Sequence, residues 1–250
     1  MDMPATSLTP EMMEEWQQDE LQRGLAGESI NRNLTPFQAM LTWGEKRGHI
    51  PANPIRGKVE SLPKSGSKKI RYLLPDERER LFVALDQREE EQGEDYLKSA
   101  VLFSLATGIR KGTLLRLTWE DVDMRTKTAV LRGEIMKGGA TWTIPLSTVA
   151  YEILEAWKPK TVGSGFIFPG DGTHLQDTRK PWNNLMKRAQ ITSFSWHCLR
   201  HDFASQLAMK GVNILTIKEH MSNKTLDMTL VYAHLAPHIK REAVEQFCGM

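Results

Sequence analysis

The sequence predicts a mainly α fold with a small β-hairpin or sheet, in the α+β class. In most segments the apolar residues recur at the three-to-four-residue spacing of amphipathic helices. Two short runs with strand character, 128–132 and 141–145, flank the turn Lys137-Gly138-Gly139. Hydrophobic residues make up 40% of the 250 residues, a share typical of chains that bury a globular core. The length indicates one or two domains.

The first 60 residues contain two predicted helices. Thr9 has the side chain of an N-cap and Pro10 follows it, which predicts a helix over 9–24. A second helix is predicted over about 29–47. Its apolar residues lie largely on one stripe: Ile30, Leu34, Phe37, Met40, Leu41 and Trp43. Two helices bury too little apolar surface to form an independent core, so residues 1–60 are interpreted as part of a helical domain.

A basic linker rich in Ser, Gly and Lys is predicted over 61–71, and it separates this part from a second domain at 72–250. In the second domain, Ser147 or Thr148 is expected to cap the helix that ends at Trp157. The other predicted helices cover 75–86, 95–106, 111–117, 178–190, 197–210, 213–220, 225–234 and, at the end, 238–247.

Composition excludes several classes of protein. No apolar run approaches the roughly 18 residues of a membrane span, and the N-terminus lacks the basic and apolar blocks of a signal peptide. Two cysteines, Cys198 and Cys248, are too few for a disulfide framework or a four-thiolate zinc site. We therefore expect a cytoplasmic protein without membrane association.

The net charge of +2 does not by itself indicate a nucleic-acid partner, but its distribution is uneven. Residues 56–71 carry six basic residues and one acid, whereas 76–95 carry nine acids. Two interpretations stay open: a polyanion-facing segment beside a solvent-facing helix, or an exposed linker followed by an exposed helix.

Arg110 follows Thr107-Gly108-Ile109 at a predicted break between two apolar helices. A helix junction offers unpaired backbone N–H groups, and an arginine there can bind a phosphate through two parallel hydrogen bonds. The alternative is a surface arginine that follows a helix-ending glycine.

His197 and Arg200 stand three positions apart in the segment His197-Cys198-Leu199-Arg200-His201. On a helix they share one face and can offer a cationic hydrogen-bonding pair to an anion. A zinc site is disfavoured because it needs further ligands at helical spacing, and His201 is expected to point elsewhere.

Tyr232 lies in the segment Thr229-Leu230-Val231-Tyr232-Ala233-His234-Leu235, and Lys137 lies on the predicted hairpin turn. Each has an ordinary interpretation when taken alone. Tyr232 fits a half-buried position on an amphipathic helix, and Lys137 fits a solvated turn.

In this order and spacing, Arg110, Lys137, the His197–Arg200 pair and Tyr232 resemble the catalytic domain of tyrosine recombinases of the phage integrase type. The resemblance covers about residues 70–245. It is carried by the blocks TGIRKGTLLRLTWEDVD, MKGGATWTIPLS, WHCLRHDFASQLAMKGVNI and MTLVYAHLAP. The segment SINRNLTPFQAMLTWGEKRGHIPANP is similar to the second half of the family's core-binding domain. A partial core-binding domain at 1–60 is therefore implied.

Two positions depart from the family pattern. Thr113 stands three residues after Arg110, where the family often has an acid. Asn223 stands nine residues before Tyr232, where the family usually has histidine and sometimes tryptophan, and His220 is three positions out of register. Asn223 is interpreted either as a group that donates one hydrogen bond to a phosphate oxygen or as a helix N-cap. Natural variation and an inactivating substitution both fit it.

The resemblance implies a DNA strand transferase that needs neither a metal, nor ATP, nor another cofactor. Tyr232 would attack a scissile phosphate, forming a 3′-phosphotyrosyl bond and freeing a 5′-hydroxyl. Arg110 and Arg200 would stabilise the charge on the non-bridging oxygens. Lys137 would protonate the leaving 5′-oxygen, and His197 would help Tyr232 to lose its proton.

The implied partner is double-stranded DNA, on which the family assembles homo-tetramers, with accessory DNA-bending proteins as further candidates. In this family a tail such as 238–247 often docks on a neighbouring subunit. Two other functions stay open: a type IB topoisomerase, and a DNA-binding relative that no longer cleaves. The chain opens with what resembles half a domain, so a truncated or degenerate form of a longer recombinase is expected.

Overall fold

The computed structural model describes residues 3–63, 70–93, 95–137, 139–161, 163–170 and 174–236. The chain divides into two compact units, Met1–Lys69 and Ile70–Met250. The interpretation of the first unit as a partial core-binding domain, with a linker over 61–71, stays a prediction. Most of that linker, the residue Gly138 and the predicted last helix at 238–247 lie outside the described residues.

The first unit contains helices α1, Pro10–Gln22, and α2, Gly27–Lys46. The Thr9 hydroxyl accepts a hydrogen bond from the Met12 backbone N–H at 3.3 Å, which confirms the predicted N-cap of α1. The apolar core of this unit contains Leu8, Met13, Leu34, Leu41, Ile55 and Val59.

The predicted apolar stripe of α2 is wrong at two positions. Met40 and Trp43 are 53% and 55% exposed, whereas Ile30, Leu34 and Leu41 are buried. The reason is helical geometry. At 3.6 residues per turn, Trp43 projects from nearly the opposite side of the helix to the buried stripe.

The second unit contains the remaining described helices and strands. The helices are α3 Pro75–Gln92, α4 Tyr96–Thr107, α5 Lys111–Leu114, α6 Thr148–Trp157, α7 Arg179–Arg188, α8 Trp196–Met209, α9 Ile214–His220 and α10 Asp227–Leu230. Short 3₁₀ helices occur at Ala5–Ser7 in the first unit and at Trp119–Asp121, Gly133–Ile135, Lys158–Thr161 and Ala233–Leu235 in the second.

Caps explain where several of these helices begin and end. Asp95 accepts a hydrogen bond from the Leu97 backbone N–H at 2.9 Å, and Ser147 accepts one from the Ala150 backbone N–H at 3.2 Å. The Ser147 cap confirms the prediction for α6. The third helix was expected to end at Asp86, but it continues to Gln92 because no glycine or proline interrupts it before Gly93.

The small sheet has three antiparallel strands in the order β1 Val122–Asp123, β2 Thr128–Leu131 and β3 Trp142–Pro145. Ala129 lies between Val122 and Ile144 in the register, and all three side chains are buried. The predicted mainly α class with a small sheet is confirmed. The connection between β2 and β3 also contains the 3₁₀ helix Gly133–Ile135, which was not predicted.

The core of the second unit forms where α4 packs against α6 and α8. Leu97, Phe103, Leu154 and Leu199 are fully buried there. This packing holds the C-terminal end of α4 beside α8. Among the described helices, none is long and apolar enough to cross a membrane.

Candidate active site

Arg110 is held at the junction between α4 and α5. Gly108 ends α4 with a left-handed φ of 65°, and Arg110 is the N-cap residue of α5. A Cβ added to Gly108 would lie 2.5 Å from Cδ1 of Phe203 on α8, so only glycine fits this turn. The Arg110 guanidinium is half-buried, and burial lowers its pKa. Its contacts to Ser222 Oγ at 3.5 Å and Asn223 Oδ1 at 3.3 Å are long.

Arg200 lies on α8 and is only 5% exposed. Its Nη1 donates to the Gly108 carbonyl at 2.7 Å, and its Nη2 donates to Asn223 Oδ1 at 2.9 Å and to the Met221 carbonyl. Burial, followed by the positive charge of Arg110, lowers the pKa of Arg200 to about 9. The guanidinium is therefore still protonated at neutral pH.

Asn223 is buried between the two arginines and Thr229. Arginine carries only donors, so the amide oxygen of Asn223 faces both guanidinium groups. Its Nδ2 donates to Thr229 Oγ1 at 3.0 Å. The N-cap interpretation of Asn223 is wrong, because α10 begins after Leu226. One Nδ2 hydrogen of Asn223 is thus engaged with Thr229, while its amide oxygen presents an acceptor to the two arginines.

Tyr232 lies between α10 and the 3₁₀ helix Ala233–Leu235, and its ring packs into the apolar cluster of Ala204, Ala208, Ile217 and Met221. The predicted helix over 225–234 is therefore interrupted at this residue. The Tyr232 backbone N–H donates to the Thr229 carbonyl at 3.0 Å, a three-residue spacing typical of a 3₁₀ turn. Burial raises the pKa of the Tyr232 hydroxyl, and the charges of Arg200 and Arg110 act against that increase.

His201 is directed towards Tyr232, and the expectation that it points elsewhere is wrong. Its Nδ1 lies 2.7 Å from the Tyr232 hydroxyl oxygen. Burial, followed by the nearby His197 and Arg200, lowers the pKa of His201 to about 4, so the ring is neutral at neutral pH. The sequence contained a signal for this position. His201 follows His197 by one helical turn, and residues four apart share a helix face.

His197 is exposed at the same cavity, and its ring meets His201 edge-on with centroids 4.8 Å apart. Burial of part of the ring, then the charges of Arg200, Arg110 and Lys137, lowers the pKa of His197.

Lys137 is exposed and follows the 3₁₀ helix Gly133–Ile135. Thr113, where the family often has an acid, donates from its hydroxyl to the Ile135 carbonyl at 3.3 Å. The Thr113 oxygen is also 3.7 Å from the sulfur of Met136. Thr113 thus ties α5 to the segment that precedes Lys137.

All six predicted site residues line one cavity of about 620 Å³. They are Arg110, Lys137, His197, Arg200, Asn223 and Tyr232. The cavity is also lined by residues that were not predicted to belong to the site, including His201, Lys218, Glu219 and Lys224. Two arginines and three lysines against one glutamate make the lining cationic. Such a cavity suits a phosphate group, with a tyrosine oxygen beside it as a nucleophile.

His220 does not take the place of Asn223. Its Nε2 lies 3.1 Å from the Thr107 carbonyl and its ring stacks on Phe203, with centroids 5.0 Å apart. Burial lowers the pKa of His220. Within the described ranges, no group of three or more His, Cys, Asp or Glu side chains is placed to hold a metal ion.

The fold is mainly α, and its cavity places a tyrosine beside two arginine side chains. Sequence comparison then gives the family. The sequence model of the phage integrase family matches residues 71–238, and the chain belongs to that family.

Three similar proteins illustrate the relationship. The integrase of Salmonella phage P22 is 30% identical over 204 residues, which cover 75% of this chain and 50% of that protein. The integrase of Escherichia phage P2 is 29% identical over 245 residues, covering 96% of this chain and 65% of that protein. The chain therefore spans half to two thirds of the length of these relatives. A solved structure of the Tn1549 transposon integrase in complex with transposon right end DNA covers all of this chain and 88% of that one. Its TM-score is 0.77 at 19% identity, which shows a shared fold.

Proposed function

We propose that the chain is a site-specific DNA recombinase or integrase that cuts and rejoins DNA strands through a 3′-phosphotyrosyl intermediate. Family membership supports this class of reaction. The observation that carries the proposal is that Tyr232, Arg110 and Arg200, far apart in the sequence, line one cationic cavity.

In this mechanism the Tyr232 oxygen attacks phosphorus and the bond from phosphorus to the 5′-oxygen breaks. The permanently charged guanidinium groups of Arg110 and Arg200 stabilise the negative charge that gathers on the non-bridging oxygens. Lys137 gives a proton to the leaving 5′-oxygen. His197, exposed at the cavity, donates a hydrogen bond to the phosphate. The amide oxygen of Asn223 accepts hydrogen bonds from both arginines and thereby orients their guanidinium groups.

The energy of the broken bond is kept in the phosphotyrosine, so rejoining requires neither ATP nor a metal ion. A 5′-hydroxyl from another strand attacks the phosphotyrosine, and Tyr232 leaves. The substrate of this reaction is double-stranded DNA, and phosphate contacts would make its affinity dependent on salt.

Further parts of the proposal extend beyond the cavity. We assign residues 1–60 to a partial core-binding domain and 72–250 to the catalytic domain. Exchange of strands between two duplexes requires several active sites, so a homo-tetramer on DNA is the proposed assembly. Accessory DNA-bending proteins are candidate partners, and the bacterial or phage-host cytoplasm is the proposed location.

The test is covalent capture on a nicked suicide substrate, from which the cleaved end diffuses away and leaves the protein attached to DNA. The unmodified chain should form an adduct that resists denaturation. Tyr232→Phe should bind DNA within a few-fold and form none, because only the hydroxyl is lost. Adduct formation by Tyr232→Phe would disprove the assignment. Relaxation of a plasmid without recombination sites would instead indicate a topoisomerase.

A second candidate is a relative that binds DNA without cleaving it. The observation that favours it is the amide oxygen of Asn223, which engages arginine donors that a phosphate would otherwise use. Salt-dependent DNA binding without any adduct would support this function over recombination.

A further inference from the structure

We infer that His201 accepts the proton of the Tyr232 hydroxyl when a DNA strand is cut and returns it when the strand is rejoined. The inference rests on the proposed function, with Tyr232 as the nucleophile. The inference goes beyond the proposed function because it names the residue that acts as the general base. The resemblance to tyrosine recombinases implied His197 for this task.

The first support is the contact itself. His201 Nδ1 lies 2.7 Å from the Tyr232 hydroxyl oxygen, within the range for direct proton transfer. The ring of Tyr232 is fixed by the apolar cluster beneath it, and Tyr232 is only 2% exposed. The hydroxyl is therefore directed at His201 before any DNA is present.

The second support is the division of positions between the two histidines on α8. His197 is exposed at the cavity, where a bound phosphate would meet it. His201 lies one helical turn further along, against the tyrosine, and meets His197 edge-on. His197 is thus placed to contact the phosphate, and His201 is placed to contact the nucleophile.

The third support is the protonation state of the ring. A base must start neutral, and burial lowers the pKa of His201 to about 4. In the neutral tautomer that carries its ring proton on Nε2, Nδ1 accepts the hydrogen bond of the Tyr232 hydroxyl, and this is the tautomer that a base requires. When a DNA phosphate enters the cavity, its negative charge favours the imidazolium and increases the basicity of the ring.

The proton balance is complete without a further reactant. During cleavage, the bond from Tyr232 oxygen to phosphorus forms as the bond to the 5′-oxygen breaks. The tyrosine proton moves to His201 Nδ1, and a Lys137 proton moves to the 5′-oxygen. During rejoining, the attacking 5′-hydroxyl gives its proton back to Lys137 as its oxygen bonds to phosphorus, and His201 returns its proton to the departing Tyr232 oxygen.

The experiment measures single-turnover cleavage of the nicked suicide substrate by the full chain and by His201→Asn. Asparagine keeps an oxygen near the position of Nδ1 and can still accept the hydrogen bond, but it cannot take up the proton. We expect cleavage to slow by roughly 10²–10⁴-fold, the usual contribution of a general base, with DNA binding within a few-fold. The matched control is His220→Asn, a half-buried histidine that instead contacts the Thr107 carbonyl. It should cleave within a few-fold of the unmodified chain.

A second measurement separates a base from a merely structural residue. A fluorinated tyrosine at position 232 has a more acidic hydroxyl and depends less on a base. In the His201→Asn variant, this fluorinated tyrosine should increase the cleavage rate by at least tenfold. An unchanged or faster cleavage rate in His201→Asn would overturn the inference. A faster rate would mean that the contact with His201 holds Tyr232 in an inactive position. A slow variant without rescue would overturn it as well. If the unmodified chain forms no adduct, the proposed function itself fails, and this outcome is distinct from the others.

Discussion

The amide oxygen of Asn223 lies 2.9 Å from Nη2 of Arg200 and accepts a hydrogen bond from it. The same oxygen accepts a longer hydrogen bond from Arg110 at 3.3 Å. A neutral acceptor thus engages the two guanidinium groups that are proposed to bind the phosphate. A histidine, which the family usually has at this position, would present a ring N–H there instead.

Asn223→His should therefore increase the rate of strand cleavage or rejoining by about tenfold or more. The imidazole would release the arginine donors and add one donor of its own. A charge-assisted hydrogen bond contributes about 1.5–3 kcal/mol against about 1 kcal/mol for a neutral one, and that difference in the transition state corresponds to a factor of roughly ten. Single-turnover kinetics of both steps would measure it. Asn223→Ala, which releases the arginines without adding a donor, separates the two effects. Identical rates for Asn223→His and the unmodified chain would contradict the prediction.

Lys137→Ala should slow cleavage by about two to four orders of magnitude, because the leaving 5′-oxygen loses its proton donor. A DNA substrate with a 5′-phosphorothiolate at the scissile position provides the control. Its sulfur leaving group needs no proton, so the variant should cleave it at nearly the rate of the unmodified chain. Equal defects on the two substrates would remove Lys137 from the role of general acid.

Gly108→Ala should destabilise the second unit and disturb both arginines. Alanine at a φ of 65° is strained, and its Cβ would overlap Phe203. Gly93→Ala is the matched control, since Gly93 also ends a helix at positive φ but an added Cβ meets nothing within 4 Å. In urea denaturation, the loss in free energy of unfolding should be at least about 1 kcal/mol larger for Gly108→Ala. Equal losses would show that the contact with Phe203 does not matter.

The stability of the fold should decrease as the pH falls from about 7 to 5. Burial lowers the pKa values of His197, His201 and His220 below the usual value of 6.5. Between that value and the lowered ones, the unfolded chain binds more protons than the folded chain, so acid favours unfolding. Thermal unfolding at the two pH values would measure the change. His201→Asn removes one of the three groups and should reduce the pH dependence; an equal dependence in both proteins would argue against the buried neutral His201.

Local sequence signals predicted much of the fold because they act over a few residues. Thr9 and Ser147 cap their helices through their own side chains, as their positions before apolar segments indicated. The 3₁₀ helix between β2 and β3 and the exposure of Trp43 were not predicted. The 3₁₀ helix depends on the segments that surround it, which no local pattern shows. The exposure of Trp43 follows from helical spacing, which the prediction of a single stripe overlooked.

The candidate site also has features that the sequence predicted and features that it did not. The sequence by itself determined which residue types stand at which spacing, and thereby the family and the six candidate positions. Only the tertiary structure decided their partners. His201 faces Tyr232 because α8 packs against the segment that follows α9, and the Asn223 oxygen faces arginines that come from two separate segments. Hydrogen bonds between residues 31 and 113 positions apart depend on the packing of whole helices, which is why the sequence alone could not predict them.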